Sequence, residues 1–130
     1  MRLLLIISLS LISGALYCQK KDFKAYDKAF KYFKKNNFDK SKDILIKIIE
    51  KNNNWEKPYL LLSNIYFIED DVFKSSELLL EVYDVNNIDD YEGIEKVANN
   101  FYKKGFYSEA LYYYNACLLY TSPSPRDPIG

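Results

Sequence analysis

The side chains with chemical capacity are few, and their spacing limits what they can do. Carboxylates occur as adjacent pairs at Asp70-Asp71 and Asp89-Asp90. General acid–base catalysis needs two carboxyls converging on one pocket, and nothing in the sequence builds one. Each pair falls in an expected turn or helix start, so helix capping is the better assignment. Neither pair has the spaced oxygen ligands of a calcium loop. No histidine is present, which removes imidazole acid–base chemistry, the Ser-His-Asp triad and His-containing zinc sites. Gly93 and Gly105 stand alone, so no glycine-rich loop is available for a phosphate. The two cysteines, Cys18 and Cys117, sit near the ends and supply neither a disulfide framework nor a ligand cluster. The expectation is a non-enzymatic chain with no catalytic, cofactor or metal residues.

Composition sets wider limits. The chain has 130 residues, of which 48% are apolar, with 18 basic and 18 acidic side chains. That length holds one domain or a few small repeats. Zero net charge argues against a generic nucleic-acid binder, so no nucleic-acid partner is expected. The balance hides a segregation. Between Lys20 and Lys57 there are 12 lysines and 6 acids, and from Pro58 to Glu95 there are 10 acids and 1 lysine. Such polarity can favour stacking of neighbouring units or steer a dipolar partner, but ordinary solvated faces are the favoured reading. The basic stretch contains no arginine, which weakens a phosphate-recognition role.

The elements that must position any site are helices. Tyr59, Leu62, Ser63 and Tyr66 recur at i, i+3, i+4 and i+7, as do Ser76, Leu79, Leu80 and Tyr83, and Ile94, Val97, Ala98 and Phe101. The periodicity predicts helices over 22–35, 39–51, 56–69, 72–84, 90–104 and from 108 onward. The connections are short and polar: Asn36-Asn37, Asn52-Asn53-Asn54, Asp70-Asp71 and Asn86-Asn87. Asn and Asp tolerate left-handed backbone and cap helix ends. Gly105 sits where a C-terminal left-handed residue is wanted, and Asp89 with Glu92 forms a capping pair for the fifth helix.

These helices fall into units of constant offset. A small residue stands inside each first helix at Ala29, Ser63 and Ala98. An aromatic follows each hairpin turn at Phe38, Phe73 and Tyr107, and a small residue opens each second helix at Ser41, Ser76 and Ala110. Small residues let two helices approach closely while the aromatic plugs the turn. The pattern resembles the tetratricopeptide repeat, a helix-turn-helix of about 34 residues. Val97-Ala98-Asn99-Asn100-Phe101 with Gly105-Phe106-Tyr107-Ser108-Glu109-Ala110 carries the clearest match. The first unit departs from the family pattern at Lys28, and no proline separates the units. The resemblance covers residues 19–116. It implies an all-α class, an α-solenoid of about three helical hairpins (22–55, 56–89 and 90–116) with the last one truncated. A generic helical bundle is the alternative.

In such arrays the first helices line a concave binding groove. The family pattern would place Tyr26, Phe30 and Phe33 there, then Leu60, Asn64 and Phe67, then Glu95, Asn99 and Tyr102. Rings and amides suit an extended or helical peptide; some of the rings serve the core instead. Tyr26, Leu60 and Glu95 stand where carboxylate-clamping members of the family carry a lysine, which disfavours that role.

The two ends carry separate signals. Met1-Arg2, the apolar run Leu3 to Ile12 and small residues at Ser13-Gly14-Ala15 read as a secretory signal over 1–18, too short for a transmembrane helix. Cleavage is expected after Ala15 or after Cys18. A lipoprotein would be acylated on Cys18, but Tyr17 precedes it where a small residue is usual. At the other end, Cys117 to Asp127 resembles a translated transposase-type sequencing adapter, which would make 117–130 non-native and let the natural chain continue past Ala116. On this basis the expected function is a protein-interaction scaffold with a protein or peptide partner, exported to the periplasm or outer membrane of a Gram-negative bacterium. A membrane link would come only through a lipid anchor or further domains. The sensor half of a membrane signalling protein and a SusD-like glycan-binding lipoprotein are the alternatives.

Overall fold

The computed structural model describes residues 20–121; the expected signal segment with Cys18 and the tail beyond Thr121 lie outside the described residues. Six helices follow one another: α1 over 20–34, α2 Phe38–Lys51, α3 Glu56–Ile68, α4 Val72–Val82, α5 Tyr91–Lys103 and α6 Tyr107–Thr121. A short 3-10 turn, η1, spans Ile88–Asp90, and no strand occurs among the described residues. The fold is all-α, a helical repeat of three hairpins, α1–α2, α3–α4 and α5–α6.

The three hairpin turns are built alike. Asn36, Asp70 and Gly105 adopt positive φ of 59°, 65° and 86°, the left-handed conformation that only Gly, Asn and Asp accept readily. The next residue's amide reaches back to the same carbonyl each time: Asn37 to Tyr32 at 2.9 Å, Asp71 to Tyr66 at 2.8 Å and Phe106 to Phe101 at 2.9 Å. The turn residue's own amide donates to Phe33, Phe67 and Tyr102 in turn. This is the paired closure of a Schellman motif, which satisfies the last carbonyls of the first helix. The second helix of two hairpins is then capped by a side chain. Asn37 Oδ1 accepts from the Lys40 amide and Asp71 Oδ1 from the Lys74 amide.

The turns also fix the register, and they correct part of the sequence expectation. The amides of Ser41, Ser75 and Ala110 donate to the carbonyls of Asn37, Asp71 and Phe106, so the equivalent small residue of the second hairpin is Ser75, not Ser76. Val72, not Phe73, is equivalent to Phe38 and Tyr107. Val72 is buried while Phe73 is exposed. The extra residue that lengthens the second repeat therefore lies between α4 and α5. The expected Asp89–Glu92 capping pair is not formed, because η1 intervenes. Asn87 Oδ1 accepts from the Asp89 amide, and Asp90 Oδ2 accepts from the Asp84 amide at 2.8 Å. The last helix, expected from 108 onward, begins at Tyr107 and continues to Thr121, past the 116 at which the third hairpin was expected to be truncated.

The chain divides into two compact units between Pro58 and Tyr59. In the first, Ala29, Ser41, Leu45 and Ile48 are buried, and Ser41 Oγ donates to the Ala29 carbonyl at 2.8 Å. The second has a core of Val72, Leu79, Val97, Phe101 and Ala110, against which Leu60, Phe67, Leu80, Tyr83, Tyr113 and Tyr114 pack. Here the matching bond runs from Ser63 Oγ to the Ser75 carbonyl at 3.0 Å, with the two hydroxyls 2.9 Å apart. Small residues at these points replace side-chain bulk with a hydrogen bond between helices. Gly93 permits an equally close approach: a Cβ there would lie 2.2 Å from the Tyr83 ring.

Candidate functional site

The residues expected to face a partner can be followed helix by helix. On α1, Tyr26, Phe30 and Phe33 stand at i, i+4 and i+7, which aligns them along one face. Tyr26 and Phe30 stack at 6.4 Å between ring centroids, and Phe30 and Phe33 at 6.1 Å. The ladder continues at both ends. Phe38 of α2 lies 5.9 Å from Phe33, Trp55 lies 5.3 Å from Tyr26, and Phe23 meets Trp55 edge-on at 4.9 Å. Lys34 holds its ammonium 4.8 Å from the Phe30 centroid, an attraction of about 0.5–1 kcal/mol at an exposed site. Phe30 remains exposed, whereas Tyr26 and Phe33 are half-buried. Burial pushes the Tyr26 phenol pKa above its usual value, and the carboxylate of Asp27 adds to the rise.

Trp55 was not among the expected site residues, because it lies between α2 and α3, outside the repeated pattern. With Asp22, Phe23, Asn52 and Asn54 it lines an open cleft of about 330 Å³ at the end of the ladder. The signal that could have found it is its type: it is the only tryptophan, placed directly after the Asn52-Asn53-Asn54 turn.

In the second unit the expected residues separate into two kinds. Leu60 and Phe67 of α3 are half-buried against the core. Phe67 is also covered by Lys104, whose ammonium sits 4.4 Å from the ring centroid and pairs with Asp70. Asn64, in the register position of Phe30, is exposed. Asn99, the next equivalent, uses its side-chain carbonyl to accept a hydrogen bond from the Tyr114 hydroxyl. Tyr102 is exposed and meets Tyr107 edge-on at 5.4 Å, and Glu95 is exposed. The structure thus joins Tyr26, Phe30 and Phe33 into one surface. It commits Leu60 and Phe67 mainly to packing, and leaves Asn64, Glu95 and Tyr102 as the exposed ones among the expected residues of the second unit.

Chemically these surfaces offer ring faces and amides. Three of the four paired carboxylates have structural partners or positions: Asp71 caps α4, Asp90 accepts from the Asp84 amide before α5, and Asp70 makes the turn. Among the described residues no helix is long and apolar enough to cross a membrane. No family model matches the chain, and a search of curated proteins returns no match.

Proposed function

We propose that this chain is a non-catalytic protein-interaction scaffold of the tetratricopeptide-repeat kind, exported to the periplasm or outer membrane of a Gram-negative bacterium. The observation that carries the reading is the recurrence of one hairpin at the family's period. The left-handed turn residues stand 34 and then 35 positions apart, each followed by the same backbone closure. Each unit would meet a peptide through its own first helices: Phe30 and its stacked neighbours on α1 in the first unit, Asn64 on α3 and Tyr102 on α5 in the second. Rings contribute contact area at small entropic cost, and an amide pairs with a peptide backbone.

The test separates binding from folding. A random-peptide display library is selected on the chain, and the selected peptides are measured against Phe30→Ala and Tyr102→Ala. Both side chains are exposed, so each substitution is expected to move the melting temperature little and to weaken peptide binding about tenfold or more. Selected peptides that bind both variants unchanged would contradict the assignment. Export is tested by expressing the chain in a Gram-negative host and weighing the product. The mature chain is expected to begin at Leu16 or Gln19, and an intact cytoplasmic product contradicts it.

A further inference from the structure

Two hollows of opposite chemistry adjoin at the start of α1, both inside the first unit. The first is the Trp55 cleft, walled by the rings of Trp55 and Phe23, the amides of Asn52 and Asn54 and the carboxylate of Asp22. Ring faces carry negative potential, and a carboxylate beside them completes a wall that attracts a cation. Phe23 is 53% exposed and stands at 71° to Trp55, so the two rings form an open corner. The second hollow, of about 170 Å³, has an apolar floor of Ala25, Ile44 and Ile48 and a rim of Lys21, Lys47 and Lys51. Asp22 lines this hollow as well. None of the three lysines forms an ion pair among the described residues.

The local sequence explains the juxtaposition. Lys47 and Lys51 stand one turn apart on α2, as Ile44 and Ile48 do, and Lys21 reaches the same hollow from α1. Lys21, Asp22 and Phe23 are consecutive, and so are Lys51 and Asn52, so the chain passes directly from one hollow to the other at two places. A lone cation in the ring cleft would face three ammonium groups with one carboxylate to offset them. A lone anion in the lysine hollow would face Asp22 and the negative ring faces. A ligand carrying both charges close together satisfies both hollows at once. Ring walls bind quaternary ammonium groups. Lysine holds phosphate as a point charge, so three of them supply the anionic end without an arginine.

We propose that the first unit binds a phosphocholine-type zwitterion, its quaternary ammonium against Trp55, Phe23 and Asp22 and its phosphate ester among Lys21, Lys47 and Lys51. Trp55 is the only tryptophan of the chain, so its fluorescence reports on the cleft directly. Titrating the full chain with phosphocholine should give a saturable change, and choline chloride or inorganic phosphate alone should bind about tenfold more weakly. Phe23→Ala should weaken phosphocholine about tenfold. Lys47→Gln with Lys51→Gln should weaken phosphocholine by a similar factor while leaving choline at least as tight as before. These side chains are exposed, so helical circular dichroism should be unchanged in both variants. Phosphatidylcholine vesicles separate the two sources of the group: a Trp55 blue shift with vesicles assigns a lipid headgroup, and a response to free phosphocholine alone assigns a soluble ester. No response to phosphocholine at about 10 mM, equal binding of choline or of phosphate alone, an equal response to glucose, or binding unchanged in both variants would each overturn the proposal.

Discussion

Two adjacent serines show how much a single position decides. Ser75 Oγ lies 2.9 Å from Ser63 Oγ, whereas Ser76 Oγ is buried with no hydrogen-bond partner among the described residues. An unpaired buried hydroxyl costs about 1–3 kcal/mol. Ser76→Ala should therefore stabilise the chain by roughly 1 kcal/mol, and Ser75→Ala should destabilise it by a similar amount, as thermal melts would show; equal effects would contradict the register. Gly93 gives a second sign test. Replacing glycine by alanine inside a helix normally gains about 1 kcal/mol. Here the new methyl would meet the Tyr83 ring, so Gly93→Ala should lose about 1–3 kcal/mol instead. The phenols add a pH dependence. Burial raises the pKa of Tyr26 and of Tyr113 above the usual 10.0, aided by Asp27 and Tyr112 respectively. A raised folded pKa favours the neutral form, so its stabilising effect is full below about pH 10 and is lost as pH climbs through the folded value. The melting temperature should hold between neutrality and about pH 9 and fall above pH 10.

At the scale of the elements, the hairpins were largely legible and their register was not. Asn36, Asp70 and Gly105 are types that accept left-handed backbone, so the turns could be placed from residue identity. The second hairpin contains both Val72-Phe73 and Ser75-Ser76, and the aromatic-and-small pattern selects Phe73 with Ser76, whereas the equivalent pair is the non-aromatic Val72 with Ser75. Only the backbone bonds to Asn37 and Asp71 choose between them. The α5 start was misjudged because a capping pair reads from spacing alone, while Asp90 spends its carboxylate on the Asp84 amide. The third hairpin extends past its expected limit at 116 for a different reason. Residues 117–121 change composition but contain no helix breaker, and the first proline comes at Pro123. At the site, the α1 ladder followed from i, i+4 and i+7 spacing, whereas Trp55 joins it only through the fold. The turns make their own prediction. Gly105 has a φ of 86° with nothing within 4 Å of where a Cβ would lie. Gly105→Ala should thus cost about 1–2 kcal/mol of backbone strain alone, while Asn36→Gly should cost nothing measurable in the same melting assay.

For the whole molecule, one hairpin recurs three times among the described residues, and the proposed binding role falls on what the first helices leave uncovered. Lysine-rich and acid-rich stretches are segregated along that repeat, and the exposed rings of Phe30 and Tyr102 are the groups proposed to meet a partner. The equivalence of the three turns can be measured by amide hydrogen exchange at Asn37, Asp71 and Phe106. Each of these amides closes the same backbone bond, so all three should exchange slowly, with a positive-φ coupling at the residue before each. Fast exchange at any one of them, with the other two protected, would mean that its hairpin is not a copy of the others and would contradict the repeat.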